Sequence, residues 1–180
     1  MAISLASIAR TTRNSLPPRV VIHGPHGVGK STLGASAYKP IFLPFEDGLT
    51  GIETDAFPLL TSYADAIAAL DSLARDKHEF GTVVLDSLDW LEPMIWEHAC
   101  KKNGWPSIEA PGYGRGYIEA NAIWHELFER LDALRARGMA VICIAHSEIK
   151  RFDAPDSEAY ERYQIKLQRG ASAIAQEWAD

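Results

Sequence analysis

The stretch Val20–Ala35, VVIHGPHGVGKSTLGA, constrains this chain more than any other segment. The run from Arg19 to His23 is apolar and rich in β-branched residues, which reads as a buried strand. Gly24, Gly29, Lys30 and Ser31 follow in the spacing G-x-x-x-x-G-K-[ST], and Gly29 to Ala37 reads as a helix. A strand, a glycine loop and a helix in that order make a turn that grips phosphate. Gly24, Gly27 and Gly29 permit backbone conformations that aim several N–H groups at one anion. The helix N-terminus adds partial positive charge. Pro25, His26, Val28 and Thr32 complete the loop, Lys30 reaches the β- and γ-phosphates, and the Ser31 hydroxyl completes a magnesium shell. A glycine-rich turn with a surface lysine is the competing reading, and the flanking strand and helix argue against it. The expected ligands are a nucleoside triphosphate and Mg2+.

The rest of the chain alternates strands with helices. KPIFLPFEDG supplies a second strand ending near Glu46. Ser62 and Asp65 stand at capping-box spacing before the apolar helical face of Ile67, Leu70, Leu73 and Ala74. GTVVLDS is a third strand, and its unbroken apolar run predicts burial on both sides. Pro93 is placed as the first residue of a helix running toward Lys102. From Ile118, the positions Ile123, Leu127, Leu131 and Leu134, with Trp124 and Phe128, predict a long amphipathic helix ended by Gly138. MAVICIAH is a fourth strand. A polar connection from Ser147 to Glu158, a strand around Tyr163 to Leu167 and a helix from Ala171 complete the pattern. The fold class is α/β, a mostly parallel sheet flanked by helices on both faces. Residues 1–17 form a basic arm, with Arg10 and Arg13 and no acid, and residues 18–180 form one domain. A domain of this kind would add another strand or two.

Composition narrows the function classes. The 24 acidic residues outnumber the 18 basic ones, a net charge of −6, which argues against a surface coated for nonspecific nucleic-acid binding. Screening still leaves room for a local basic groove. Cys100 and Cys143 stand far apart, which excludes a disulfide framework or a zinc site. Apolar runs are too short to cross a bilayer and no secretory signal is evident, so the expected setting is cytoplasmic.

Three further residues carry chemistry. Asp86 ends TVVLD, where a strand delivers a carboxylate to the sheet's carboxyl edge; it serves as a magnesium ligand or as a helix cap. Glu46 ends the second strand, where it faces the γ-phosphate and activates water, or acts only as a turn acid in FEDG. Asp47 is the spare candidate. His146 ends the fourth strand, where it senses the γ-phosphate or merely caps.

The phosphate loop, FEDGL, VVLDSLDWLEP, PGYGRGY, IAHSEIKRF and YQIKLQRGASA together resemble the RecA-type recombinase core. More closely, they resemble the phage-encoded RecA-like P-loop ATPases of the Sak single-strand annealing group, over essentially Pro18 to Asp180. The resemblance implies that Gly24 to Thr32 bind ATP, Asp86 supports Mg2+, Glu46 with Lys30 is catalytic and His146 is the sensor. It also implies that two loops hold single-stranded DNA. The first, about Lys101–Gly116, carries Lys101, Lys102 and Arg115 with Trp105, Tyr113 and the adjoining Tyr117, the mixture of cations and aromatics that sequence-indifferent binding uses. The second, about Ser147–Tyr160, carries Lys150, Arg151 and Phe152 among Asp153, Asp156 and Glu158. By themselves both would read as ordinary loops. Arg162, Lys166 and Arg169 are candidates for a cation supplied in trans, or simply a basic strand face.

The function implied is an oligomeric, DNA-stimulated ATPase, a ring or filament promoting annealing or recombination of phage DNA. A phage or host single-strand-binding protein is a further expected partner. An ATP-switched helicase loader or scaffold protein is the alternative. A small-molecule P-loop kinase is a third reading, and it lacks the arginine-bearing lid such an enzyme needs.

Overall fold

The structure is a computed structural model that describes residues 16–152 and 159–180. Its elements run β1 (Arg19–Gly24), α1 (Lys30–Ala35), β2 (Pro40–Pro44), β3 (Asp55–Ala56), α2 (Tyr63–Arg75) and β4 (Thr82–Asp86). They continue with α3 (Leu88–Asn103), α4 (Arg115–Ala136), β5 (Ala140–Phe152), β6 (Tyr160–Ile165) and α5 (Arg169–Trp178). The sheet order is β1-β5-β4-β2-β3 with every neighbouring pair parallel, and β6 pairs antiparallel with the outer half of β5.

The side chains explain the layering. All five residues of β4 are buried, as its unbroken apolar run requires. Alternate residues of the strands face opposite ways. Phe42, Val84 and Ile144 form a small core beneath α1, with Ala35 and Leu49 against it. Gly34 permits that close approach, because a Cβ there would stand 3.0 Å from Val84 Cγ1 and 3.1 Å from Phe42 Cζ. Ile41, Leu43, Val83, Leu85, Val141 and Cys143 belong to the main core, which packs α2, α3, α4 and α5 on the other face. Trp124, Leu127, Leu131 and Leu134 of α4 are fully buried there. The helices therefore lie on both faces, as expected, but unevenly.

Several boundaries differ from the sequence expectation. Helix α3 begins at Leu88, and Pro93 lies inside it rather than at its first position. The missing proline N–H removes one rung to the Asp89 carbonyl, a loss the buried contacts of Leu88, Leu91 and Ile95 offset. Ser147 to Phe152 is not a loop: β5 continues through it, and the polar side chains there alternate along a hairpin with β6. The following strand starts at Tyr160 rather than Tyr163, and α5 starts at Arg169 rather than Ala171. The Ser62–Asp65 cap is present, with Ser62 Oγ accepting the Asp65 N–H at 3.1 Å. Most of the expected basic arm, with Arg10 and Arg13, and the loop residues Asp153, Asp156 and Glu158 lie outside the described residues.

An ionic cluster closes the sheet's β1 edge. Asp180 accepts from the Arg19 guanidinium at 2.8 Å and from Arg135 at 2.7 Å, and its own N–H bonds the Arg19 carbonyl at 3.0 Å.

The turn between α3 and α4 is held against α4 by a close backbone approach. Gly116, buried in the first turn of α4, leaves no room for a side chain, because a Cβ would overlap the Ile108 carbonyl oxygen. Gly116→Ala is therefore expected to lose about 1–3 kcal/mol of stability. Thermal denaturation checks this, and an unchanged Tm would contradict the packing.

Candidate nucleotide site

Because β1, β5, β4 and β2 run parallel, their carboxyl ends meet at one edge of the sheet. The cleft there has a volume of about 250 Å³ and is lined by His26, Gly27, Gly29, Lys30, Ser31, Thr32, Glu46, Asp86 and His146, among others. The sequence-predicted phosphate loop, magnesium carboxylate, catalytic acid and sensor are thus brought together.

The loop owes its shape to Gly27 (φ 75°) and Gly29 (φ 93°), both in the left-handed region. Lys30 is buried, and its ammonium donates to the carbonyls of Gly24 at 3.1 Å and Pro25 at 2.9 Å. An ammonium has three donors, so one remains for an incoming anion. Ser31 Oγ donates to Asp86 Oδ2 at 2.6 Å. Burial pushes the Asp86 carboxyl above its ordinary range; the Ser31 hydrogen bond opposes this, the Glu46 charge adds to it, and Lys30 and His146 lower it.

A buried carboxylate beside a hydroxyl is a pair of hard oxygen ligands, and a cation there would relieve the cost of burial. The pair fits Mg2+, which commonly takes one or two carboxylates plus substrate phosphates. Among the described residues no group of three or more His, Cys, Asp and Glu could hold a metal by itself.

Glu46 lies two residues beyond β2, and its Oε1 accepts from Ser87 Oγ at 2.7 Å. Ser87 is fully buried. His146 lies across from Glu46, with Nδ1 3.9 Å from Glu46 Oε1. Asp89 holds the same ring, with its Oδ2 3.0 Å from Nδ1, and its Oδ1 accepts the His146 backbone N–H at 2.9 Å. His26 stacks on the ring at 6.0 Å between centroids.

Ser87, Asp89 and Glu92 are residues that sequence reasoning missed. For Asp89 and Glu92 the signal was their three-residue spacing, which a helix starting at Leu88 places on one face and a helix starting at Pro93 hides; Ser87, just before the helix, had no such signal. Glu92 is buried and accepts the Gln168 N–H at 2.9 and 3.1 Å, tying α3 to the start of α5.

The expected DNA-binding and trans residues do not gather at this cleft. Lys101 pairs with Glu97 at 2.7 Å and Lys102 with Glu119 at 2.8 Å. Trp105 is half-buried, whereas Tyr113 and Arg115 are exposed. On the hairpin, the register Lys150↔Arg162 and Phe152↔Tyr160 puts these four side chains on one face. The Arg162 guanidinium lies 4.1 Å over the Phe152 ring. Arg151 is opposite Glu161, on the other face. Lys166 and Arg169 are exposed near the base of the hairpin, and the Lys166 N–H bonds the His146 carbonyl at 2.9 Å.

A glycine loop after β1, a buried lysine, and a serine bonded to the carboxylate that ends β4 define a P-loop NTPase. The profile of a family described as an AAA domain matches residues 16–180, and the chain belongs to that family. The chain is also 26% identical, over 136 residues, to the SPbeta prophage-derived uncharacterized protein YorG of Bacillus subtilis (strain 168). That match covers 71% of this chain and 40% of the relative, so the chain spans less than half the relative's length. Among solved structures, the crystal structure of the RadB recombinase aligns at 18% identity with a TM-score of 0.48. It covers 78% of this chain and 64% of that one. Among the described residues no helix is long and apolar enough to cross a membrane.

The site predicts a pH dependence of stability. Burial pushes the Glu92 carboxyl up from an ordinary 4.5 to about 7, the Gln168 hydrogen bond opposing it and the Asp89 and Glu148 charges adding to it. Between those values the folded state binds more protons than the unfolded chain, so stability falls as pH rises. The fall attributable to Glu92 is on the order of 2–3 kcal/mol. Urea titrations from pH 4 to 8 should show that slope in the wild type and lose most of it in Glu92→Gln; equal slopes would refute the assignment.

Proposed function

We propose that this protein is a Mg2+-dependent ATPase that binds single-stranded DNA, self-associates into a ring or filament, and promotes annealing or recombination of phage DNA. One observation carries this reading: β5 is a single strand that passes His146 at the cleft and continues into the hairpin bearing Lys150, Phe152, Tyr160 and Arg162. A change at the cleft that moves His146 therefore moves a surface of cations and aromatics, the combination that suits a phosphate backbone and stacked bases. Membership of the AAA domain family supports the ATPase, and the prophage origin of the relative supports the phage setting.

In this reading, the loop from Gly24 to Thr32 binds the triphosphate through its backbone N–H groups, and Lys30 meets the β- and γ-phosphates. Ser31 and Asp86 would hold Mg2+, which when bound neutralises phosphate charge. Glu46, fixed by Ser87, accepts a proton from the attacking water as its oxygen bonds to the γ-phosphorus. The β–γ bridge breaks and leaves ADP. His146 reports the presence of the γ-phosphate along β5. Tyr113 and Arg115 offer a second DNA contact, and Arg162, Lys166 or Arg169 of a neighbouring copy supplies a cation in trans.

ATP turnover measured with and without single-stranded DNA tests the proposal. DNA is expected to raise turnover, and Lys30→Ala to abolish it. Removing one stacking surface by Tyr160→Ala should weaken single-strand binding by about 1–3 kcal/mol. Identical turnover with and without DNA and no oligomer would sink the reading. Tight ATP binding with negligible hydrolysis, unaffected by Glu46→Gln, would replace it with an ATP-switched loader or scaffold.

A further inference from the structure

Asp89 and His146 form a pair that neither the phosphate loop nor the magnesium ligands require. Asp89 sits in the first turn of α3 with its side chain only 4% exposed. Both of its oxygens are used on one residue. Oδ1 accepts the His146 backbone N–H at 2.9 Å and lies 3.2 Å from Nδ1, while Oδ2 lies 3.0 Å from Nδ1. Holding the backbone of β5 at this point would need only the first of these contacts. The second acts on the ring.

An ionised carboxylate is an acceptor only, so the ring nitrogen it faces must carry the hydrogen. Glu46 Oε1, 3.9 Å from the same Nδ1, adds a second carboxylate that favours the same form. The opposite neutral tautomer would turn the Nδ1 lone pair toward both acids. Nε2 is thereby left as the ring nitrogen for a ligand, in a cleft that Lys30 and Asp86 also line and where His26 stacks on the imidazole.

We propose that Asp89 is a positioning residue: it locks His146 in the Nδ1–H form, so that Nε2 is the nitrogen that meets the γ-phosphate of a bound nucleoside triphosphate or its attacking water. The inference rests on the triphosphate reading of the cleft given above. The ring contact sets the tautomer and the rotation of the imidazole, and the backbone contact holds the part of β5 that carries it. Neutral Nε2 accepts from water, and protonated Nε2 donates to phosphate oxygen. With Nδ1 committed, these two useful states differ by one proton at one atom.

Two measurements decide the matter. Nitrogen-15 NMR of histidine-labelled, nucleotide-free wild type, at a pH where the ring is neutral, should show His146 protonated at Nδ1 and bare at Nε2. Asp89→Asn, which places an amide donor opposite Nδ1, should move the ring toward the Nε2–H form. In ATP turnover, Asp89→Asn should lower kcat about 10- to 100-fold, by analogy with the loss when a partner that orients a metal-bound histidine is removed. In a His146→Gln background the same change should cost no more than about twofold, because an effect exerted through His146 vanishes with it. An Nε2–H ring in the wild type overturns the positioning role, as does an equal loss in both backgrounds. Failure of the wild type to bind ATP in a calorimetric titration overturns the triphosphate reading itself, an outcome distinct from a wrong tautomer.

Discussion

Strand β5 runs between the strand that opens the phosphate loop and the strand that ends in Asp86, and the cleft is built around that placement. Its register pairs Gly24 with His146 on one side and Asp86 with Ile144 on the other. His146 therefore emerges between the loop and the carboxylate, two residues past the level of Asp86. A slip of one residue would turn Cys143 and Ala145 out of the main core and swing the imidazole to the other face of the sheet. The register is held from both sides, because Ile144 packs beneath α1 while Val141 and Cys143 face the larger helical layer. The same strand then leaves the sheet and pairs with β6, so the cleft and the hairpin share one continuous backbone.

Four acids near the cleft are each stabilised in a different way. Asp86 has the Ser31 hydroxyl, with Lys30 and His146 close enough to lower its pKa, and burial still holds that pKa above the ordinary range. Glu46 has the buried Ser87 hydroxyl. Asp89 has an imidazole and a backbone N–H. Glu92 has the Gln168 N–H as its hydrogen-bond donor among the described residues, and burial makes it hold its proton to higher pH. Burying a carboxylate without a cation or several hydrogen bonds is costly, so each of these acids needs a partner. The acids that line or border the cleft each have a side-chain hydroxyl or imidazole partner, whereas Glu92, farther along α3, ties that helix to the start of α5.

Much of this was legible in the sequence. The β-branched run before Gly24, the spacing of Gly24, Gly29, Lys30 and Ser31, and the unbroken apolar strand before Asp86 have local physical causes, and the structure forms each element, although β1 lies at the sheet edge and is only partly buried rather than buried as it reads. The amphipathic face of α4 and the Ser62–Asp65 cap are local too. The misreadings also have a physical origin. Pro93 is a strong local signal for a helix start, but burial of Leu88 and Leu91 extends α3 a turn and a half upstream and brings Asp89 and Glu92 into the interior. Ser147 to Phe152 reads as polar and loop-like because charged residues interrupt its few apolar ones, and its pairing with β6 is a contact no local pattern announces.

What the sequence determined by itself is therefore the phosphate loop, the strand that delivers Asp86 and the alternating α/β order, since each depends on neighbours within a few residues. What only the tertiary structure decided is which distant side chains meet. Ser31 with Asp86, Ser87 with Glu46, and Asp89 with His146 are separated by 55, 41 and 57 residues. Their contacts follow from the sheet order, which parallel crossovers and core packing select and no local pattern encodes.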